Sequence, residues 1–307
     1  MRMNTSGKLK TKVVGINLEH PVMNASGILG SEPEHVEILA SAGFSAIVTK
    51  TFTLKPSTGY PMPIMVELEN GGFLNAVGLA NPGIDSVHLV VEKARRLGKP
   101  VVVSIGAKSE EEFAELAIKA ENAGADAIEL NLSCPHVRGH GLEIGSNPEL
   151  VYRVVKEVSS TTRVPILAKL GLCDRIVESA GKALEAGARG LTLINTIRAI
   201  AIDVYSFKPV LFNKYGGLSG PPIKPIAVRV VYDVYREYQA EIIGCGGITN
   251  WKDAAEFIIA GAKAVQIGST FLRNRNIVRE VLKGLEEWLE AVGYPRIEDL
   301  VGISQKA

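Results

Sequence analysis

The sequence predicts an α/β protein in which eight parallel strands alternate with helices and close into a (β/α)8, or TIM, barrel. Short, nearly continuous apolar runs recur along the chain, as is typical of strands buried on both faces. An Ala-Gly phrase followed by an apolar run occurs four times, and glycine clusters follow the last predicted strands. A doubly wound open sheet is the competing arrangement, and the terminal glycine clusters favour the barrel.

The four Ala-Gly phrases begin at Ala42, Ala123, Ala186 and Ala260. In each of them a helix ends, glycine takes the left-handed position, and a strand follows after a tight loop. The helices are amphipathic, and Ser109 opens a capping box before one of them. The strands are predicted at about 21–25, 45–50, 101–105, 127–132, 165–170, 190–195, 241–245 and 264–268. A last helix is predicted over about 276–292.

Three segments fall outside this repeat. Residues 10–18 alternate in polarity and predict a small hairpin that closes the barrel bottom. Residues 51–85 contain four prolines and little helical periodicity, and residues 197–221 contain an alternating pair that predicts a hairpin. Long insertions after strands lie on the catalytic face, so we expect both to cover the C-terminal face of the barrel. No second domain is predicted, and residues 1–307 are expected to form one domain.

The composition excludes several classes of protein. A net charge of +1, from 34 basic and 33 acidic residues, gives no electrostatic reason to expect nucleic acid or an anionic membrane as a partner. We expect no signal peptide and no membrane span, because no apolar run approaches the roughly 18 residues that a span needs. Cys134, Cys173 and Cys245 are too far apart for a CxxC metal or iron–sulfur site. We therefore expect a cytoplasmic protein without a metal site.

Polar residues collect at the predicted C-terminal ends of the strands, where parallel α/β proteins carry out chemistry. The most distinctive stretch is Asn131-Leu-Ser-Cys-Pro-His136, although a free cysteine is often only a buried small side chain. Lys50 and Lys169 lie at two other strand ends. Because lysine is rarely buried without a partner, they predict an anionic ligand in the barrel mouth. Glycine clusters at 216–220, 244–247 and 268, beside a short helix beginning at Ser269, favour a phosphate group.

These motifs resemble those of dihydroorotate dehydrogenases, in particular catalytic subunits of the soluble class 1B type. The resemblance covers about residues 10–295 and implies FMN-dependent oxidation of dihydroorotate to orotate in pyrimidine biosynthesis. It rests on Ala25-Ser-Gly27, Thr49-Lys-Thr51, Asn75-Ala-Val-Gly-Leu79, Asn131-Leu-Ser-Cys-Pro135, Ala168-Lys-Leu170, Ile194-Asn-Thr196, Gly216-Gly-Leu-Ser-Gly220, Gly246-Gly247 and Gly268-Ser269.

The resemblance also implies roles for individual residues. Cys134 would be the base that removes the C5 proton, and Lys50 would lie between the flavin and the substrate. The residues implied to bind FMN are Ser26, Lys50, Thr51, Ser104, Asn131, Lys169, Ile194, Gly220, Gly246, Gly247, Gly268 and Ser269. Those implied to bind the substrate are Lys50, Asn75, Ala76, Val77, Gly78, Leu79, Asn131, His136, Asn195 and Thr196. The asparagine amides suit the alternating C=O and N–H edge of a pyrimidinedione.

One position departs from the family pattern, in which the cysteine motif commonly continues with Asn where this chain has His136. The same Ser-Cys-Pro-His form occurs in dihydropyrimidine dehydrogenases, which act on uracil and thymine. The 75–79 motif and the absence of their iron–sulfur cysteine motifs favour dihydroorotate. Ser104 is a milder departure, because relatives often have Asn there.

The class 1B resemblance implies a homodimer that passes electrons to a separate FAD and iron–sulfur subunit, which reacts with NAD. A self-contained, fumarate-reducing dihydroorotate dehydrogenase is the alternative, and the run 216–225 looks more like class 1B. A barrel aldolase or epimerase without flavin would leave the Asn131–Cys134 stretch unexplained. A non-catalytic nucleotide-binding barrel would leave Lys50 and Cys134 without a role.

Overall fold

A computed structural model describes residues 7–133 and 142–306 of the chain. The strands, in chain order, are β1 (Thr11–Val13), β2 (Ile16–Leu18), β3 (Val22–Asn24), β4 (Ile47–Val48), β5 (Met65–Glu67), β6 (Phe73–Asn75), β7 (Val101–Ile105), β8 (Ala127–Leu132), β9 (Ile166–Leu170), β10 (Gly190–Leu193), β11 (Ile197–Ile200), β12 (Ile202–Asp203), β13 (Lys208–Pro209), β14 (Tyr215–Ser219), β15 (Ile242–Cys245) and β16 (Ala262–Ile267). The α-helices are α1 (Pro33–Ala42), α2 (Val87–Arg96), α3 (Glu110–Ala123), α4 (Leu142–Gly145), α5 (Pro148–Thr161), α6 (Ile176–Glu185), α7 (Lys224–Tyr238), α8 (Trp251–Ala260), α9 (Thr270–Arg273) and α10 (Ile277–Val292).

Eight parallel strands form one sheet in the order β3-β16-β15-β10-β9-β8-β7-β4, with helices between them. This arrangement confirms the predicted (β/α)8 barrel, and each barrel strand falls where the apolar runs predicted it. At the seam between β3 and β4 the Ser45 N–H donates to the Val22 carbonyl at 3.0 Å, and the side chain of Asn24 supplies two further bonds. Its amide donates to the Val48 carbonyl at 2.7 Å and accepts from the Val48 N–H at 2.9 Å.

Helix ends follow the local chemistry of the sequence. Ser109 caps α3 by accepting a bond from the Glu112 N–H at 3.2 Å, and Asn250 caps α8 in the same way. Gly124 ends α3 in the left-handed conformation, with φ of 91°. Across the two described ranges, no helix combines the length and apolar character that crossing a membrane requires.

The barrel interior is filled in layers. The β1–β2 hairpin packs Val13, Val14, Ile16 and Leu18 against inward-facing apolar side chains of the barrel strands, which confirms that it closes the bottom. Above that apolar layer the inward-facing side chains become polar, with Ser104, Glu129, Lys169, Thr192 and Gln266 all buried. The outward-facing residues of the same strands pack against the helices in the main hydrophobic core.

The two insertions meet in one antiparallel sheet, β11-β14-β6-β5, which we call the lid sheet. The predicted hairpin in 197–221 is present as the short β12–β13 ladder, in which Ile202 pairs with Pro209. The larger pairing, β6 with β14, joins residues that are 142 apart at Asn75 and Gly217. The sequence did not predict β5 and β6, because strands of three residues show no measurable alternation.

His20 lies buried beside the barrel bottom. Its Nε2 is 2.9 Å from the Gly43 carbonyl oxygen, and its Nδ1 accepts from the Val22 N–H at 3.3 Å. Burial lowers the pKa of His20 to about 4, although the bond to Gly43 opposes the shift. The ring is therefore neutral in the folded protein at pH 7 and resists protonation until the pH is well below the ordinary histidine value.

We expect His20 to make folding stability depend on pH in a defined window. The unfolded chain binds the proton more readily, so the stabilisation is complete above pH 6.5 and falls as the pH drops toward 4. Between pH 7 and pH 4.5 the free energy of unfolding should fall by about 2–3 kcal/mol from this residue. In guanidinium titrations His20→Gln should lose that part of the pH dependence, whereas His88→Gln, at an exposed position, should retain it. Equal pH dependence in the wild type and in His20→Gln would contradict the assignment.

Candidate active site

A cavity of about 500 Å³ opens at the C-terminal ends of the barrel strands, against the lid sheet. That volume suits a cofactor or a small ligand. Most residues of the predicted site line it, namely Ser26, Lys50, Thr51, Asn75, Val77, Gly78, Leu79, Asn131, Lys169, Ile194, Asn195, Thr196, Gly220, Gly246, Gly247, Gly268 and Ser269.

Of the predicted residues that the structure describes, Ser104 and Ala76 do not line the cavity. Ser104 lies buried behind Thr51, with 3.0 Å between their hydroxyl oxygens. Ala76 packs instead into a small apolar cluster of the lid region with Leu74 and Leu211. Cys134 and His136 lie outside the described residues.

Sequence reasoning missed the apolar wall of the cavity. Met62, Ile64, Met65 and Phe73 come from the first insertion and line the cavity from the lid side. The β6–β14 pairing holds this insertion over the barrel mouth, together with a bond from the Phe212 N–H to the Pro63 carbonyl at 3.1 Å. No local pattern in a proline-rich segment could have indicated it.

Glycine leaves the backbone open at the end of the cavity formed after β14, β15 and β16. Gly247 has φ of 76°, and a Cβ there would lie 2.8 Å from the Gly220 carbonyl oxygen, so the chain itself requires glycine. At Gly268 a Cβ would meet only the Ala25 Cβ, at an ordinary 3.4 Å. Because Gly268 lines the cavity, its lack of a side chain leaves space for a ligand rather than for a neighbour in the chain.

A row of hydrogen bonds fixes two asparagine amides at the cavity. Ser133 donates to Asn131 Oδ1 at 2.8 Å and accepts from Asn195 Nδ2 at 2.9 Å. Asn131 Nδ2 also donates to Thr51, and the Thr196 N–H donates to Asn195 Oδ1. Each amide therefore has its oxygen engaged by the protein and keeps one N–H for a ligand.

Asn75 is held by its amide nitrogen, whereas the other two amides also have their oxygens bonded to the protein. Its Nδ2 donates to the Gly217 carbonyl at 3.1 Å, and within residues 7–133 and 142–306 its Oδ1 accepts no bond. Among the described residues, the three amides can thus offer up to three N–H donors and one acceptor, the Asn75 Oδ1. That set complements a ring edge on which carbonyl groups and an N–H alternate.

The two lysines differ in their surroundings. The Lys50 ammonium has neither an ion pair nor a hydrogen bond with any described residue, and burial lowers its pKa while Glu32 partly offsets the shift. The Lys169 ammonium lies 3.4 Å from Glu129 Oε1 and donates to Gln266 Oε1 at 3.2 Å. Lys169 therefore does not by itself require an anionic ligand, because Glu129 supplies its negative charge, and the anionic ligand in the barrel mouth stays a prediction. Glu129 lies within the apolar run 127–132, so its place in the sequence did not indicate that it would pair with Lys169.

The two described cysteines are poor candidates for a thiolate. Burial raises the pKa of Cys245, and the nearby Lys169 only partly opposes that effect. Burial also raises the pKa of Cys173, which lies away from the cavity lining. Neither thiol is thus favoured as a base at neutral pH.

The fold and the cavity together define a barrel enzyme whose mouth could hold a ligand between a glycine-rich backbone, the buried Lys169 and the partly buried Lys50. A comparison with family models gives the family directly: the dihydroorotate dehydrogenase model matches residues 8–289. The chain belongs to the dihydroorotate dehydrogenase family, whose members are flavin-dependent oxidoreductases.

Relatives with assigned names are similar over almost the whole chain. A relative from Aeropyrum pernix, provisionally named dihydroorotate dehydrogenase A (fumarate), is 47% identical over 99% of this chain and 100% of its own length. One from Thermoplasma volcanium, named as the catalytic subunit of dihydroorotate dehydrogenase B (NAD(+)), is 46% identical over 97% of this chain and 99% of its own. A relative from Pyrococcus furiosus with the same name matches to the same extent.

Proposed function

We propose that this enzyme oxidises dihydroorotate to orotate with FMN as its cofactor, in the pyrimidine biosynthesis of the cytoplasm. The observation that carries the proposal is that residues of both implied sets, for FMN and for substrate, line one cavity. We also propose that residues 1–307 form a single FMN-binding barrel domain.

The cavity fits FMN on three counts. Open backbone at Gly220, Gly246, Gly247 and Gly268 suits a phosphate at one end. Lys169 supplies a buried cation to the ring, and the cavity volume of about 500 Å³ is adequate for a cofactor. Ser26, Lys50, Thr51, Asn131, Ile194 and Ser269 would complete the binding site, with Ser104 supporting Thr51 from behind.

The remaining groups fit the substrate. Asn131 and Asn195 would donate to the two ring carbonyls and Asn75 would accept from a ring N–H, as their fixed amides allow. The substrate carboxylate would meet Lys50, which has no ion pair with a described residue, and backbone N–H groups of residues 76–79. Thr196 and His136 complete the proposed substrate set, and His136 rests on the resemblance alone.

The reaction removes two hydrogens from the substrate. Cys134 would take the C5 proton as general base, and its assignment rests on the resemblance, since it lies outside the described residues. Bound FMN would accept the hydride from C6, which leaves the C5=C6 double bond of orotate. Phe73, which is buried at the lid side of the cavity, would shield part of the site from water and so strengthen the electrostatic interactions there.

We propose that electrons then leave through a separate FAD and iron–sulfur subunit to NAD, and that the catalytic chain is a homodimer. The names of the Thermoplasma and Pyrococcus relatives, which are catalytic subunits of NAD enzymes, support a partner subunit and NAD as acceptor. The homodimer rests on the resemblance alone. Direct reduction of fumarate is the second candidate, because the Aeropyrum relative carries that name.

The first prediction concerns cofactor and substrate together. The purified chain should be yellow, and under anaerobic conditions dihydroorotate should bleach its visible flavin absorption while dihydrouracil should not, because only the former brings a carboxylate to Lys50. Adding fumarate to the bleached protein then tests the acceptor: no reoxidation is expected if a partner subunit is needed.

Two outcomes would contradict this proposal. If the protein is colourless and cannot be reconstituted with FMN, the proposal that FMN is the cofactor is wrong. If dihydrouracil alone bleaches the flavin, the proposal that dihydroorotate is the substrate is wrong. Rapid reoxidation by fumarate would leave the chemistry intact but favour the self-contained enzyme.

The second prediction tests the base. Cys134→Ala should retain bound FMN while reduction by dihydroorotate slows by about 10²–10⁴-fold, because only the proton acceptor is lost. Stopped-flow absorbance measures the rate. Cys173→Ala removes a thiol that does not line the cavity and should react at the wild-type rate. An unchanged rate in Cys134→Ala would exclude this residue as the base.

The third prediction separates a ligand-facing glycine from a structural one. Gly268→Ala should change the free energy of unfolding by less than about 1 kcal/mol, yet weaken FMN binding at least tenfold, because its methyl group enters the cavity. Gly247→Ala should lose more than about 2 kcal/mol of stability, because of its positive φ and the contact with Gly220. Denaturant titration and flavin fluorescence measure the two effects. If Gly268→Ala binds FMN with wild-type affinity, the phosphate does not lie beside Gly268.

A further inference from the structure

A cluster of four buried polar side chains lies at the inner end of the cavity and comes from four different strands. Glu129 belongs to β8, Lys169 to β9, Thr192 to β10 and Gln266 to β16. Glu129 and Thr192 have no exposed surface, and Gln266 and Lys169 are 1% and 3% exposed. Of the four, only Lys169 reaches the cavity lining.

The bonds within the cluster converge on Glu129 and Lys169. Glu129 Oε2 accepts from Thr192 Oγ1 at 3.0 Å and from Gln266 Nε2 at 3.1 Å. The amide of Gln266 is thereby oriented so that its oxygen accepts from the Lys169 ammonium at 3.2 Å. Glu129 Oε1 has no hydrogen bond to any described residue and lies 3.4 Å from the same ammonium.

Stability alone does not account for this arrangement. Taking a carboxylate and an ammonium out of water costs several kcal/mol each, and apolar residues of similar volume often serve a core as well or better. The layer immediately below is apolar, with Leu167, Ile243 and Ala264 among its members. The buried charged side chains of the cluster, Glu129 and Lys169, lie where the barrel interior meets the cavity.

We infer that Glu129, oriented by Thr192 and Gln266, is a positioning residue that holds the Lys169 ammonium in place at the cavity, and so raises the reduction potential of the flavin. The inference rests on the proposed FMN site. Burying an ammonium without a counter-charge is costly, and Glu129 lies 3.4 Å from Lys169, where it offsets that cost. An ammonium held at the cavity favours the negative charge that a flavin acquires on reduction.

The first test needs no flavin. In the flavin-free protein, acetic anhydride should label Lys169 in Glu129→Gln at least threefold faster than in the wild type, because its amine is no longer held in an ion pair. Peptide mass spectrometry measures how much of each lysine is acetylated. Lys50, which lines the same cavity without contacting Glu129, is the internal standard and should be labelled at an unchanged rate. Equal labelling of Lys169 in both proteins would overturn the inference.

The second test reads the cofactor by an anaerobic redox titration of bound FMN. Glu129→Gln should lower the midpoint potential by at least about 30 mV, which corresponds to a tenfold loss in preference for reduced over oxidised flavin. Thr192→Val is the matched control: it removes one hydrogen bond to Glu129 but no charge, and should change that preference less than threefold. An unchanged or raised potential in Glu129→Gln would overturn the inference.

The outcomes remain distinguishable from failure of the proposed function. If the wild-type chain binds no flavin, the FMN proposal and the effect on the potential both fall. The labelling experiment still decides whether Glu129 holds Lys169. Should Glu129→Gln not fold, Glu129→Asp keeps the charge but shortens its reach, and faster labelling of Lys169 at twice the wild-type rate or more is then the expected result.

Discussion

The alternation of side chains along a parallel barrel strand governs the rest of this structure. Every second residue faces inward, and eight strands at similar depth must fill one confined interior. The lower inward positions are apolar and are sealed by the β1–β2 hairpin. The next inward positions carry Glu129, Lys169, Thr192 and Gln266, so that the apolar core ends at a defined height and the ligand cavity begins above it.

The lid sheet depends on that same barrel edge. Both of its long segments leave from the C-terminal ends of strands, one after β4 and one after β10, and neither has an apolar core of its own beyond a small cluster around Leu74 and Leu211. Pairing β6 with β14 satisfies their backbone groups and brings Phe73 and Asn75 over the cavity. The insertions therefore form a stable sheet and one wall of the site by the same set of hydrogen bonds.

Local patterns were sufficient for the barrel and for most of the cavity lining. Apolar runs, helix caps such as Ser109 and the Ala-Gly phrases are all encoded within about ten residues of sequence, so they can be recognised without tertiary information. The lid strands and the partner of Lys169 could not be recognised in this way. Glu129 is 40 residues from Lys169 and 137 from Gln266, and only barrel closure makes the three neighbours. The assignments of Cys134 and His136 rest on resemblance, which no geometry in residues 7–133 or 142–306 replaces.

The contrast between the two lysines explains how one cavity can serve a cofactor and a substrate in turn. Lys169 already has its negative charge from Glu129, so it needs no ligand for neutrality and can remain in place through every cycle of ligand exchange. Lys50 is largely buried with no such partner in the described chain, and burial lowers its pKa. Under the proposed function, a substrate carboxylate would compensate the charge of Lys50, so that cation would discriminate for a carboxylate when a substrate binds. Under the proposed function, an ion pair beneath the cofactor would serve stable retention, and a cation without an ion pair among the described residues would serve selective, reversible binding of the substrate.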